Sequence, residues 1–183
     1  MAERNKNLHA PWRIPYIRSL ADDRDDGCFL CRAVTETDRD AENLLLWRTG
    51  RAMVVMNRYP YTGGHLLIAP AEHVGSLELL APDTLAELMA LGRDMTTLLA
   101  HHMNAEGFNL GMNIGRPAGA GLPDHVHMHV VPRWAGDVNC LAVLDDIRVV
   151  HQALDELREE LLAAGRELGL PRSADGPEAE VPW

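Results

Sequence analysis

Polar and apolar residues alternate without a break from His125 to Val130, inside the stretch Asp124-His125-Val126-His127-Met128-His129-Val130-Val131-Pro132-Arg133-Trp134. A period of two belongs to a half-buried β-strand, whose same-face side chains lie roughly 6.5–7 Å apart. The pattern predicts that Val126, Met128 and Val130 enter a core while His125, His127 and His129 share the opposite face. Upstream, Leu44 to Trp47 and Arg51 to Asn57 read as a hairpin around Thr49-Gly50, and Ala52-Met53-Val54-Val55-Met56 is too apolar for a strand facing water. After the turn Arg58 to Gly64, His65 to Pro70 is the next buried strand. Leu85, Leu88, Met89, Gly92, Met95 and Leu99 recur at helical spacing behind Pro82, which predicts a covering helix over about 82–104 that ends near Gly107. His101 and His102 near its end suit the negative end of the helix dipole. Phe108 to Ile114 is a further strand, joined to the histidine strand in a hairpin. A short strand is expected near 143–149, then a helix with Val150, Leu154, Leu157 and Leu161 on one face. The pattern amounts to an α+β domain over residues 21–168, preceded by an extended arm over 1–20 and followed by a disordered Pro- and acid-rich tail over 169–183.

Composition narrows the partners. The chain of 183 residues is one domain by size, and its formal charge of −10 argues against coating nucleic acid or lying on a membrane. No apolar stretch approaches the ~20 residues of a membrane span, and Met1 to Asn7 lead into no apolar run, so a cytoplasmic location is expected. Three cysteines include the pair Cys28-x-x-Cys31, a spacing better suited to a metal than to a disulfide framework.

A row of imidazoles on one strand face calls for chemistry. A core could hardly satisfy six ring nitrogens, and a water-facing strand gains nothing from them. Two readings follow: a metal site, or a nucleophile flanked by helpers. The glycine-rich run Asn113-Ile114-Gly115-Arg116-Pro117-Ala118-Gly119-Ala120-Gly121-Leu122-Pro123 leads straight into the histidines and favours the second, because such a loop lets backbone N–H groups approach an anion. It has no Gly-Lys-Ser/Thr ending and precedes a strand, which excludes the Walker and Rossmann readings.

His125-Val126-His127-Met128-His129-Val130-Val131 resembles the signature of the histidine-triad (HIT) family. Met56 to Pro60, Gly64 to Pro70 and Asn113 to Gly121 also look like that family, over about residues 8–165. Pro11-Trp12-Arg13, the cysteine pair and Pro132 to Asn139 resemble its bacterial diadenosine-tetraphosphate phosphorylase and hydrolase group. The resemblance implies the HIT fold: an antiparallel sheet of about five strands, one long covering helix, a C-terminal helix, and a sheet that continues across a homodimer. It implies attack on a nucleotide α-phosphate by His127 through a nucleotidyl-histidine intermediate. His129 and Asn113 would assist, Gly119, Ala120 and Gly121 would supply amides, Asn57 would hold the ribose, and His65 and Arg116 would lie at the nucleotide. By resemblance to zinc-bearing members, Cys28, Cys31, His73 and His125 would bind a structural zinc, with no organic cofactor. Phosphate as acceptor, with Arg116 and Arg133 as its nearest cations, would make a phosphorylase; water would make a hydrolase or phosphoramidase releasing AMP. A zinc hydrolase using all three histidines, and a non-catalytic nucleotide-binding dimer, are the rival classes. Gly121-Leu122-Pro123-Asp124 departs from the family where many members carry a hydroxyl.

Overall fold

The computed structural model describes residues 27–137 and 152–172. The predicted arm over 1–20, the strand near 143–149, Val150 and the tail beyond Arg172 lie outside the described residues. The elements run α1 (Phe29–Thr35), β1 (Leu45–Arg48), β2 (Ala52–Met56), β3 (Leu66–Pro70), α2 (Pro82–Met103), β4 (Gly107–Met112), β5 (Met128–Arg133) and α3 (Leu154–Leu168). The strands form one antiparallel sheet in the order β1-β2-β3-β5-β4, as the α+β reading expects.

Strand alternation divides the core. Leu46, Val54, Leu66, Ile68, Met128 and Val130 face α2 and α3, while Leu45, Met53, Val55, Leu67 and Ala69 pack with Leu30 and Ala33 of α1 on the other side. Strands β2 and β3 are buried on both faces, which explains their unbroken apolar runs. Helix α3 seals its edge with Leu157 and Leu161, both fully buried, each contributing about 1.5–3 kcal/mol. The short α1 covers only part of its face. The remainder, beside β3 and β5, carries the histidines: Leu67 pairs with His129 across the sheet.

Three expectations need correction. The histidine strand starts at Met128, not His125, because β4 ends opposite it at Met112 and the continued β3 register would set Pro70, which has no N–H, opposite Val126. Residues 125–127 run on outside the ladder, held by the Val126 N–H to Val74 O bond of 2.7 Å. On α2, Met89 is 58% exposed, and the buried face is completed instead by Leu91, Leu98 and Asp94. The helix itself runs Pro82–Met103 and is closed by a left-handed Asn104, within the expected span of about 82–104. Finally, the segment after α3 is packed as far as it is described: Gly169 caps the helix, Leu170 is buried, and the Arg172 N–H donates to the buried Asp94 at 2.8 Å. His102 pairs with Glu160 of α3 at 2.9 Å, so it links two helices besides facing a dipole.

Candidate active site and metal centre

The three histidines meet three different environments within five residues. His125 is fully buried. Its Nε2 lies 2.9 Å from the Pro70 carbonyl, an acceptor only, so Nε2 carries the proton and Nδ1 is a bare lone pair. That Nδ1 lies 3.2 Å from Cys28 Sγ and 3.7 Å from Cys31 Sγ, and His73 Nδ1 is 3.2 Å from Cys31 Sγ. The four ligand atoms all fall within 4.8 Å of one another. Ligands at tetrahedral zinc distances stand roughly 3.3–3.8 Å apart, so the donor set fits a Cys2His2 ion with little movement. Burial and the neighbouring Cys28 push the Cys31 thiol up to about 11, a penalty on the thiolate that a divalent cation reverses. Cys28 stands at the start of α1 and His73 follows β3, so such an ion would tie both to the run that enters β5. That run is closely packed as well: a Cβ on Gly75 would come within 2.7 Å of the Pro123 carbonyl.

His127 is 7% exposed and donates its Nδ1 proton to the His125 carbonyl at 2.9 Å. Its Nε2 is left as an unprotonated lone pair. Burial lowers its pKa, which keeps the ring neutral and nucleophilic. The His129 ring stands 5.0 Å away, edge on. Burial first, and the neighbouring His127 second, push His129 down to about 4. His129 Nδ1 contacts His65 Nε2 at 3.0 Å, while His129 Nε2 is shielded from solvent with no partner among the described residues. An orphaned buried polar atom beside a nucleophilic lone pair marks a place for a ligand.

His65 thus belongs to the constellation. Asn57 is turned inward: its Nδ2 lies 3.2 Å from His65 Nδ1 and its Oδ1 accepts the Tyr59 N–H at 2.9 Å, so both ends of the amide are engaged within the protein. The sequence reasoning missed Tyr61, whose ring lies over His65 and His129 at 4.6 and 5.8 Å and whose N–H donates to His65 Nδ1. An aromatic residue in a turn directly before a histidine strand was the available signal. The glycine loop is a short 3-10 turn, Arg116–Ala118, between left-handed-region glycines at 115 and 119. Asn113 Nδ2 lies beside Gly119, 3.9 Å from where its Cβ would be. The Gly119 and Ala120 amides are occupied by the Arg116 and Gly115 carbonyls, so of the expected amide set only that of Gly121 is outside the turn's own bonds. Leu122, in place of a hydroxyl, packs onto the α1-side core. Arg116 is exposed on the loop. Arg133 is held by Asp137 and Asn109 near the far end of β5, away from the histidines.

These features define a small antiparallel domain built around alternating histidines. The HIT domain profile matches residues 38–136, and the chain belongs to that family. It is 34% identical over 160 residues to a Mycobacterium tuberculosis protein named AP-4-A phosphorylase, covering 85% of this chain and 82% of that one. It is 31% identical over 93 residues to the asymmetrical bis(5'-nucleosyl)-tetraphosphatase of Schizosaccharomyces pombe, covering 51% of this chain and 50% of that one. A Zn-bound histidine triad family protein from Mycobacterium smegmatis shares the fold with a TM-score of 0.63 and 24% identity, over 79% of this chain and 96% of that one.

Proposed function

We propose that this protein is a nucleotidyl-transferring enzyme that acts on dinucleoside polyphosphates, with diadenosine tetraphosphate as the model substrate. The observation that carries the reading is the bare, buried Nε2 of His127 next to the orphaned Nε2 of His129. The 34% likeness to a named AP-4-A phosphorylase across most of both chains supports the substrate class. His127 Nε2 attacks the α-phosphorus, the bond to the polyphosphate breaks, and ATP leaves with the bond's electron pair. The AMP group stays on His127. An acceptor then attacks the same phosphorus, giving AMP with water or ADP with inorganic phosphate. His129, Asn113 and the Gly121 amide are the donors for the phosphoryl oxygens, where fixed dipoles favour the spread charge of the transition state. Asn57 supports the site through His65, with any ribose contact requiring it to release an internal partner.

Phosphorolysis is the favoured outcome, and Arg116 is the cation for it, since Arg133 is committed elsewhere. In this reading the Cys28, Cys31, His73 and His125 cluster holds zinc, which supplies a cross-link from α1 to the triad and no step of the reaction. The donor set is thereby spent at one end of the triad, which disfavours a zinc hydrolase using all three histidines. We further propose a homodimer: β4 is an edge strand whose outer backbone groups can take a partner strand, and it leaves the apolar Leu110 40% exposed. None of the described helices is long and apolar enough to cross a membrane. Product analysis tests the reading. With diadenosine tetraphosphate, ATP and ADP should form in proportion to added phosphate. AMP formed at an unchanged rate without phosphate would make the enzyme a hydrolase, and no turnover under either condition would reject the substrate class.

A further inference from the structure

We propose that Asn57 and the Tyr59-Pro60-Tyr61 turn are positioning elements that set which nitrogen of His129 carries its proton, so that His129 meets the substrate as an N–H donor and not as a base. The inference deepens the reading of the site as one that binds a phosphoryl group.

The chain of donors starts from groups whose polarity is unambiguous. A backbone N–H can only donate. The Tyr59 N–H lies 2.9 Å from one end of the Asn57 amide, so that end is the oxygen and the NH2 end faces His65 Nδ1 at 3.2 Å. The Tyr61 N–H points at the same Nδ1 from 3.1 Å. Two donors converge on one ring nitrogen, which must therefore be a lone pair; a proton there would put three hydrogens in one place. Neutral His65 keeps its proton on Nε2. That nitrogen is 3.0 Å from His129 Nδ1, so His65 donates and His129 Nδ1 accepts. The His129 proton is forced onto Nε2, the atom that is buried and has no partner among the described residues. Pro60 contributes by restricting the backbone of Tyr59, and the Tyr61 ring lies over both imidazoles at interplanar angles of 31° and 26°. The tautomers then alternate along the triad: Nε2–H on His125, Nδ1–H on His127 and Nε2–H on His129. A lone pair for attack sits beside a hydrogen for the oxygen it will charge.

Nitrogen-resolved NMR of the full chain without nucleotide, at about pH 8 where imidazoles are neutral, reads the tautomers directly. Protonated Nε2 is expected on His65 and His129, and protonated Nδ1 on His127. In Asn57→Asp an acceptor replaces the donor, so His65 Nδ1 should gain proton density and His129 should lose its single tautomer. With substrate, kcat should fall by about tenfold or more with KM nearly unchanged. Asn57→Ser, a neutral change, should show the same shifts more weakly and serves if the aspartate variant does not fold. His129 protonated on Nδ1 in the wild type would overturn the proposal. So would unaltered tautomers with a raised KM in both variants, the behaviour of a residue that only holds a ribose. The ring shifts are measured without turnover, so a protein that ignores dinucleoside polyphosphates would count against the substrate and leave the tautomer result standing.

Discussion

The two ends of the histidine row are built from the same side chain on the same short run of backbone, yet they are suited to opposite tasks. At His125 the far nitrogen meets a carbonyl, so the near one is a bare donor atom facing two thiols and a second imidazole. At His129 the near nitrogen meets an N–H, so the far one becomes a hydrogen-bond donor with no partner among the described residues. His127 lies between them and takes its tautomer from the backbone of the first. An imidazole has no fixed role on a strand; the partner of one nitrogen decides what the other can do.

That division can be broken from its centre outward. His127→Gly removes the lone pair proposed for covalent attack, and turnover should fall at least about 10³-fold. Nucleotide binding, measured by calorimetry, should survive, and loss of both together would point to collapse of the site instead. At the donor end, His129→Ala should lower kcat by about 10²–10³-fold, as removal of one preorganised donor does. A change confined to KM would place His129 outside the transition state. At the metal end, Cys28→Ser or a strong chelator should lower the melting temperature by on the order of 10 °C and release about one zinc per chain. An unchanged melting curve would leave the four ligands as mere neighbours.

Smaller effects sharpen the picture. His129 has a folded pKa pushed down to about 4, below the ordinary imidazole value of about 6.5. Its contribution to stability is therefore complete above that value and is lost as pH falls from there toward 4. Denaturant midpoints in His129→Gln should be flatter over that window, and parallel curves for variant and wild type would contradict the assignment. Gly75→Ala places a Cβ 2.7 Å from the Pro123 carbonyl, where the backbone must shift at a cost of about 1–3 kcal/mol. Urea titration measures it.

Much of this was legible before the structure because it depended on periodicity. Alternation along residues 125–130 put the histidines on one face, and the apolar runs of β2 and β3 announced burial on both sides. The Cys-x-x-Cys spacing pointed to a metal, though His73 came from family resemblance and not from spacing. What was not legible depends on which hydrogen bonds a loop spends on itself. No pattern shows that the Gly119 and Ala120 amides close a turn, that Arg133 is taken by Asp137, or that Asn57 faces inward to His65. The start of β5 was misplaced for a related reason: alternation reports extended backbone, whereas a ladder also needs a partner with an N–H, and Pro70 has none.

The account stands most directly on the covalent step at His127. Diadenosine tetraphosphate labelled at the α-phosphorus, mixed with enzyme and quenched in alkali within a turnover, should leave acid-labile label on the wild-type chain, mapped to the peptide that contains His127. The His127→Ala protein should carry none. Equal labelling of the two, or label that maps to another residue, would contradict the division of labour along the triad.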